Sequence, residues 1–369
     1  MKAHTVRVEL GPRSYEIVLG DGVLARLPDV LAAHCPAHSY AIISDSAVAP
    51  LFAERLVDLV AQVAPAKAYA FAAGEWNKTR ESWQALSDQL LADQHGRDCA
   101  IVALGGGVVG DLAGFVAATF RRGVPYVQVP TSLLAMIDSS IGGKTGVDTP
   151  LGKNLIGAFH QPKAVIADVQ TLSTLPPVQL AAGMAEALKH GAIRDVTYFE
   201  TMVAEKDAIR SLDADTLIAT VRRSMEIKAA IVAEDEREGG RRAILNFGHT
   251  IGHALEATHG YELLHGEAVA IGMLAEAKLG VLEGVTEPNT VDRLSHALRE
   301  FSLPVNVGSN VAQHEIRQTL FQDKKNRGGT VKFALLERLG AMASSGPDEW
   351  TRTVSDENIS NVIAEIVSN

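Results

Sequence analysis

Cys99-Ala100-Ile101-Val102-Ala103-Leu104-Gly105-Gly106-Gly107-Val108-Val109-Gly110-Asp111 is the stretch whose reading decides the fold. It opens as an unbroken apolar run, the pattern of a strand covered on both faces. The run stops at consecutive glycines, and an apolar helix pattern follows from Leu112 to Phe120. Strand, glycines and helix in that order fit the G-x-G-x-x-G spacing, where backbone N–H groups and a helix N-terminus can hold a pyrophosphate. A tight turn needing positive φ would produce the same glycines, so the spacing leaves both readings open. The usual companion is missing, because Thr131 stands where a ribose-binding acid is expected. A dinucleotide here would take its ribose contact from Asp45 or Glu75. The unit reads as nucleotide-binding and Rossmann-like, but not as an ordinary Rossmann half.

Outward toward the N-terminus, residues 5–10 and 14–19 alternate around Gly11-Pro12, a β-hairpin pattern. Tyr40 to Asp45 is a short buried strand. A helix (Leu51 to Val60), a strand (Ala66 to Phe71), the turn Gly74 to Lys78 and a helix (Arg80 to Asp93) lead back to Cys99. Strands alternating with helices imply a parallel sheet with helices on both faces. Toward the C-terminus come Arg121-Arg122-Gly123 and a strand from Tyr126 to Ser132. Gly142-Gly143-Lys144-Thr145 resembles the end of a P-loop, but Asp138 occupies a required glycine position. The segment reads as a loop presenting Lys144 to an anion, with Lys153 close behind. Either lysine alone is more commonly a solvated charge. The strand Ala164 to Asp168 closes a first domain, residues 1–175, and Thr171 to Pro177 reads as its linker.

Residues 176–369 read as a second, mainly helical domain. Leu180 to His190 is helical, with Glu186 and Lys189 one turn apart; Leu217 to Glu238 is amphipathic, and Lys228 on it reads as part of a solvated face. Helices continue through Val291 to Glu300, and Asp323 to Gly329 reads as a basic turn before the strand-like Val331 to Leu336. Four of the twelve histidines (His249, His253, His259, His265) crowd one segment. His249 and His253 are four apart, on one helix face. A satisfied polar face is the commoner meaning of such a pair, and no Glu follows His249 as in a zincin. Three imidazoles with a carboxylate in reach raise the metal reading, but spacing does not say which bind and which move protons.

At 369 residues the chain is long for one core, so two domains are expected. No uncharged run is long enough for a membrane span, and the N-terminus lacks a signal-peptide core. Cys35 and Cys99 have no metal spacing; so few cysteines suit a reducing, cytoplasmic setting, although a single disulfide stays open by count. A net charge of −10 argues against a nucleic-acid partner, while a locally basic pocket would suit a small anion.

Taken in order, the motifs resemble the 3-dehydroquinate synthase family. They are Gly-Glu-x-x-Lys at 74–78, the glycine stretch with Asp111, Arg122-Gly123 to Thr131, and Asp138 to Asn154. Gly183-Met184-Ala185-Glu186, Arg242 to Glu256, His265-Gly266-Glu267 and Asp323-Lys324-Lys325 complete the set. The resemblance spans about Asp45 to Arg338, nearly the whole chain. It implies that Glu186, His249 and His265 hold a divalent metal, zinc first and cobalt as an alternative, and it makes His253 a proton-handling or substrate residue. It places NAD on Asp45, Glu75, Lys78, Gly105, Gly106, Gly107, Val108, Val109, Gly110, Asp111, Thr131, Ser132, Lys144, Lys153, Thr171, Leu172 and Thr174. Substrate phosphate and carboxylate would fall to Lys144, Asn154, Lys189, Lys228, Arg242, Asn246 and one of Lys324 or Lys325, with Asp138 also catalytic. Arg122 would reach the site of a partner subunit, which implies a homodimer.

The family's substrate is 3-deoxy-D-arabino-heptulosonate 7-phosphate. The implied chemistry is oxidation of a hydroxyl by NAD, β-elimination of phosphate from the position the new ketone activates, return of the hydride, ring opening and an intramolecular aldol closure. The rival readings are a sibling sugar-phosphate cyclase, a metal-dependent polyol dehydrogenase and a non-catalytic nucleotide-binding protein. Siblings tend to depart at positions matching Lys228, Asn246 and His253, all of which here match the synthase pattern.

Overall fold

The computed structural model describes residues 3–260, 262–307, 312–326, 330–346 and 349–368. They form two compact units: residues up to Leu175 together with Leu217–Ala233, and Pro176–Thr216 together with residues from Glu234 onward. The segment Leu217–Ala233 thus departs from the expected simple division at 175.

The first unit contains β1 (Ala3–Val8), β2 (Tyr15–Gly20), α1 (Leu27–His34), β3 (Ser39–Asp45), α2 (Ala49–Val60), β4 (Ala66–Phe71) and α3 (Arg80–Ala92). It continues with β5 (Cys99–Gly105), α4 (Gly107–Thr119), β6 (Tyr126–Pro130), β7 (Lys144–Thr149), β8 (Gly152–Phe159) and β9 (Ala164–Asp168). One seven-stranded sheet runs in the order β1-β2-β9-β6-β5-β3-β4. Only β1 is antiparallel to its neighbour; the remaining pairings are parallel.

The period of two in a strand explains the unbroken apolar runs. Tyr40, Ile42, Ala100, Val102 and Leu104 pack with Leu27, Leu31, Leu56 and Val60 from α1 and α2. The intervening Ala41, Ile43, Ile101 and Ala103 pack with Leu86, Leu90, Leu112 and Val116 from α3 and α4. Both faces are therefore buried. Because β3, β5, β6 and β9 run parallel, their carboxyl ends at Asp45, Gly105, Pro130 and Asp168 share one sheet edge, where open α/β sheets bind ligands.

The segment read as a loop around Lys144 is a π-helical turn, Ala135–Ser139, followed by the antiparallel hairpin β7–β8. Leu155 on β8 is 62% exposed, so the hairpin carries little of the burial pattern that marks a strand. The expected linker begins as a 3-10 segment, Val169–Thr174, whose start is capped by Asp168 accepting from Gln170 N at 3.1 Å.

Past Leu175 come α5 (Pro177–Arg194), α6 (Val196–Ala204), α7 (Lys206–Arg210) and α8 (Ala214–Glu234). Then follow α9 (His249–Thr258), α10 (His265–Leu282), α11 (Asn289–Glu300), α12 (Gln313–Asn326), β10 (Leu336–Arg338), β11 (Ala341–Met342) and α13 (Asp356–Ser368). The second core joins Ile251 and Leu255 of α9, Ile271 and Leu279 of α10, Leu320 of α12 and Ile363 of α13. The expected basic turn is instead the end of α12, whose backbone includes Lys324 and Lys325. Their side chains and Arg327–Gly329 lie outside the described residues. Of the strand-like Val331 to Leu336, only Leu336 enters β10, while Phe333 makes an isolated bridge with Arg352. Among the described residues no helix is long and apolar enough to cross a membrane. Cys35 and Cys99 are buried free thiols.

Candidate functional site

In the first unit α4 starts at Gly107, so the glycine stretch is the end of β5 plus the first helical turn. Gly105, Gly106, Gly107 and Gly110 all lack positive φ, which removes the tight-turn reading. What they supply is space. A Cβ at Gly105 would sit 2.5 Å from Val109 Cγ2, and one at Gly110 would sit 2.7 Å from Gln128 Oε1. Val109 is buried and Val108 half-buried beside them. α4 starts without a side-chain cap, so its first N–H groups and positive dipole end suit an anion.

The neighbouring expected residues have local duties. Thr131 N donates to Gly105 O at 2.9 Å, and Ser132 Oγ accepts from Ala135 N at 3.3 Å. Asp45 Oδ1 accepts from Ala47 N at 2.8 Å and Val48 N at 2.9 Å, closing the turn after β3. Thr171 Oγ1 donates to Asp168 O at 2.8 Å, Thr174 Oγ1 donates to Thr171 O at 3.0 Å, and Leu172 is fully buried.

A buried cation organises the acids nearby. Lys78 is 3% exposed, with Nζ 2.8 Å from Glu75, 3.3 Å from Asp111 and 3.5 Å from Asp148. Burial opposes its charge, but the Asp111, Glu75 and Asp148 carboxylates outweigh that and hold its pKa above the ordinary lysine value. Burial pushes Asp111 up to about 6 against the pull of Lys78, and Asp148 is raised for the same reason. Lys153 Nζ reaches Glu75 at 3.5 Å. Asp148 was not foreseen as a member, since a lone acid in a polar loop carries no local signal.

Lys144 and Asn154 are exposed on β7 and β8; Asn154 has φ of 53° and its N donates to Asp148 Oδ1 at 2.8 Å. Arg121, Arg122 and Gly123 take successive φ values of 52°, 71° and 108°, holding exposed Arg122 in a strained turn of the kind found at functional sites. The solvated-face reading of Lys228 is overturned. It is 5% exposed, with Nζ 2.6 Å from Asp138 Oδ1 and donating to Asp138 O at 2.7 Å. The π-helical turn that carries Asp138 offers the lysine both oxygens.

In the second unit the histidine segment converges on Glu186, which has no exposed surface. His249 Nε2 and His265 Nε2 each lie 3.5 Å from Glu186 Oε1. One donor atom from each residue lies within 4.8 Å of the others, a spacing a single cation can bridge. His265 Nδ1 lies 3.3 Å from Glu256 Oε2, and His249 Nδ1 3.3 Å from Phe247 O. With Nδ1–H donating to those oxygens, both Nε2 lone pairs are turned toward Glu186, the outer-sphere arrangement of metal-bound histidine. The residues fit a divalent metal.

His253, Glu256 and His265 also lie within 4.8 Å of one another. In that set Glu256 already accepts from His265, so the Glu186 set is favoured. Burial and the Lys189 charge hold His249 well below the usual histidine pKa. Burial also opposes charge on His265, but the Glu186 and Glu256 carboxylates, as acceptors and as negative charges, outweigh it and lift the metal-free ring to about 10. Lys189, 1% exposed, pairs with Glu186. Exposed His253 has its ring centroid 5.2 Å from that of His249.

Arg242 is 2% exposed; its N donates to Asp235 Oδ2 at 3.0 Å and its guanidinium to Glu236 O. Asn246 Nδ2 donates to Glu238 Oε1 at 2.9 Å. Glu256, Glu238 and Asp235 had no expected role, and their partners identify them only once the chain is folded. Close backbone packing sets the helices: a Cβ at Gly266, beside His265, would lie 2.0 Å from Ala182 O on α5, one turn before Glu186.

Family models described as 3-dehydroquinate synthase N-terminal and C-terminal match residues 68–182 and 183–326. The chain is 46% identical over 351 residues to a 3-dehydroquinate synthase of Halorhodospira halophila, covering 94% of this chain and 98% of that one. Among solved structures, a 2-deoxy-scyllo-inosose synthase complexed with carbaglucose-6-phosphate, NAD+ and Co2+ matches at 28% identity and TM-score 0.91, covering 99% of this chain and 100% of its own. A 2-epi-5-epi-valiolone synthase from Streptomyces hygroscopicus subsp. jinggangensis, with NAD+ and Zn2+ bound, matches at 26% and TM-score 0.85, covering 99% of each chain.

Proposed function

The chain belongs to the 3-dehydroquinate synthase family, and from that premise we propose that it is an NAD- and metal-dependent carbon–oxygen lyase. It converts 3-deoxy-D-arabino-heptulosonate 7-phosphate into 3-dehydroquinate and phosphate. The observation that carries the reading is the buried Glu186 facing two imidazole Nε2 atoms at 3.5 Å, each ring backed by an oxygen acceptor at Nδ1. When bound, NAD would supply reversible hydride transfer, and a divalent metal held by Glu186, His249 and His265 would supply Lewis-acid polarisation of the substrate hydroxyl.

The chain's own residues would then bind and orient. The first turn of α4 and the Lys78 cluster serve the dinucleotide, with Lys153 beside Glu75 and Lys144 at the start of β7 as further contacts. In the second unit Lys189, Arg242 and Asn246 bind anionic substrate groups and keep the substrate aligned through several steps; in the first unit Lys228, held by Asp138, is a further substrate-binding candidate. Exposed His253, one turn beyond His249, exchanges protons with substrate. Arg122 reaches a second copy's site, which makes the enzyme a homodimer, and the two free thiols suit the cytoplasm.

The second reading is a sibling cyclase, favoured by the inosose and valiolone synthases among the structural matches. Both readings are tested by following phosphate release and NADH absorbance together on the heptulosonate phosphate and on sedoheptulose 7-phosphate, with and without chelator. Chelator-sensitive phosphate release without NADH build-up on the first substrate is the expected result. Preference for the second overturns the assignment, and NADH rising in proportion to substrate makes the protein a dehydrogenase.

A further inference from the structure

α10 is apolar around nearly its whole circumference, yet at one position it carries a glutamate with no exposed surface, Glu276. Its Oε2 accepts from Gly248 N at 2.7 Å and its Oε1 from Ile251 N at 3.0 Å, and the N–H of Thr250 also reaches it. These N–H groups belong to the first turn of α9, which has no side-chain cap of its own because Gly248 precedes it with φ of 82°. The cap therefore comes from a different helix, whose carboxyl oxygens satisfy N–H groups that the helix start would otherwise leave without an acceptor. A Cβ at Gly272, one turn before Glu276, would lie 2.0 Å from Gly248 O, so the two backbones meet at this point with no room for another side chain.

α9 begins at His249 and α10 at His265. We infer that Glu276 is a positioning residue for the metal site: by fixing the first turn of α9 against α10 it sets the separation of the two imidazole ligands. The inference rests on the metal reading above. Burial favours the neutral carboxyl and lifts Glu276 to about 8 against the pull of the donated bonds, so the acid is kept inside an apolar helix only by the N–H groups that face it.

The test is titration of metal-stripped protein with Co2+, followed by its visible absorption, for the native chain, His249→Ala and Glu276→Gln. The native chain is expected to give a cobalt band that His249→Ala abolishes. Glu276→Gln turns an amide N–H toward backbone donors; it should weaken Co2+ binding about 10- to 100-fold and shift the band, the usual effect of losing an outer-sphere partner. NAD affinity should be unchanged. Glu276→Asp, which keeps the carboxyl but withdraws it from the α9 N–H groups, carries the same expectation should the Gln variant not fold. Native affinity and spectrum in the folded variants, even with a lowered urea midpoint, would make Glu276 a helix cap only and overturn the inference. A native chain with no cobalt band sensitive to His249→Ala would overturn the metal reading and this inference with it.

Discussion

Replacing Lys78 with Met tests whether one buried cation holds the acidic cluster together. The substitution keeps the stem and removes the ammonium group from Glu75, Asp111 and Asp148, at 2.8, 3.3 and 3.5 Å. Removing one partner of a buried ion pair costs about 3–5 kcal/mol. A fifth of the Asp111 side chain reaches solvent, and Lys153 still serves Glu75, so the lower end of that range applies. The pH dependence gives the sharper test. Asp111 sits at about 6 when folded, above its ordinary 3.8, so the folded state holds the extra proton between those values. Stability from this group is greatest at low pH and declines as pH rises through 6. Without Lys78 the carboxyl rises further, and the decline becomes larger and extends to higher pH. Urea unfolding followed by circular dichroism should therefore show a small difference between variant and native protein at about pH 5, growing to about 3 kcal/mol at about pH 8. A difference that is flat across this range, or below about 1 kcal/mol at the upper end, would refute the account.

Other perturbations probe the same physics elsewhere. Asp168 is 1% exposed and accepts from Gly22 N, Leu24 N and Gln170 N at 2.9, 3.0 and 3.1 Å. Asp168→Ala should lower stability by about 2–4 kcal/mol in urea melts by stranding those donors. Gly272→Ala forces a Cβ against Gly248 O, a backbone atom that cannot swing aside. It should cost about 3 kcal/mol or more and release zinc faster in a chelator competition. Gly110→Ala meets only the movable end of Gln128 and should cost clearly less in the same melts. Mixing inactive Arg122→Ala and His249→Ala chains should restore about a quarter of native activity, if each dimer site takes Arg122 from its partner. Recovery at background level would place Arg122 in its own chain's site.

What the sequence made legible was periodic or contiguous. β3, β5 and β9 appear within about a residue of their expected bounds, because burial on both sheet faces leaves an unbroken apolar run; the edge strand from Ala66 to Phe71 appears at its expected bounds although only Tyr69 and Phe71 are buried. The hairpin from Lys144 to Phe159 was not legible, since its outward apolar residues do not alternate into a core. Lys228 was misread because amphipathic periodicity reports which face of a helix is polar, not what covers that face. Its carboxylate partner, Asp138, lies ninety residues away on an irregular turn.

The same rule sorts the site residues. His249 and His265 announce themselves by clustering, and Glu186 only through resemblance to a family. Their supports are sequence-distant acids that look ordinary in isolation. Glu256 reaches His265 across nine positions, Glu276 reaches Gly248 across twenty-eight, and Asp111 reaches Lys78 across thirty-three. An acid inside an apolar helix is costly unless something donates to it, so such a residue signals a distant partner even when it cannot identify it. Glu276, alone among the apolar residues of α10, is the clearest case. The donors it needs are the N–H groups that a glycine leaves uncapped at the start of the histidine helix.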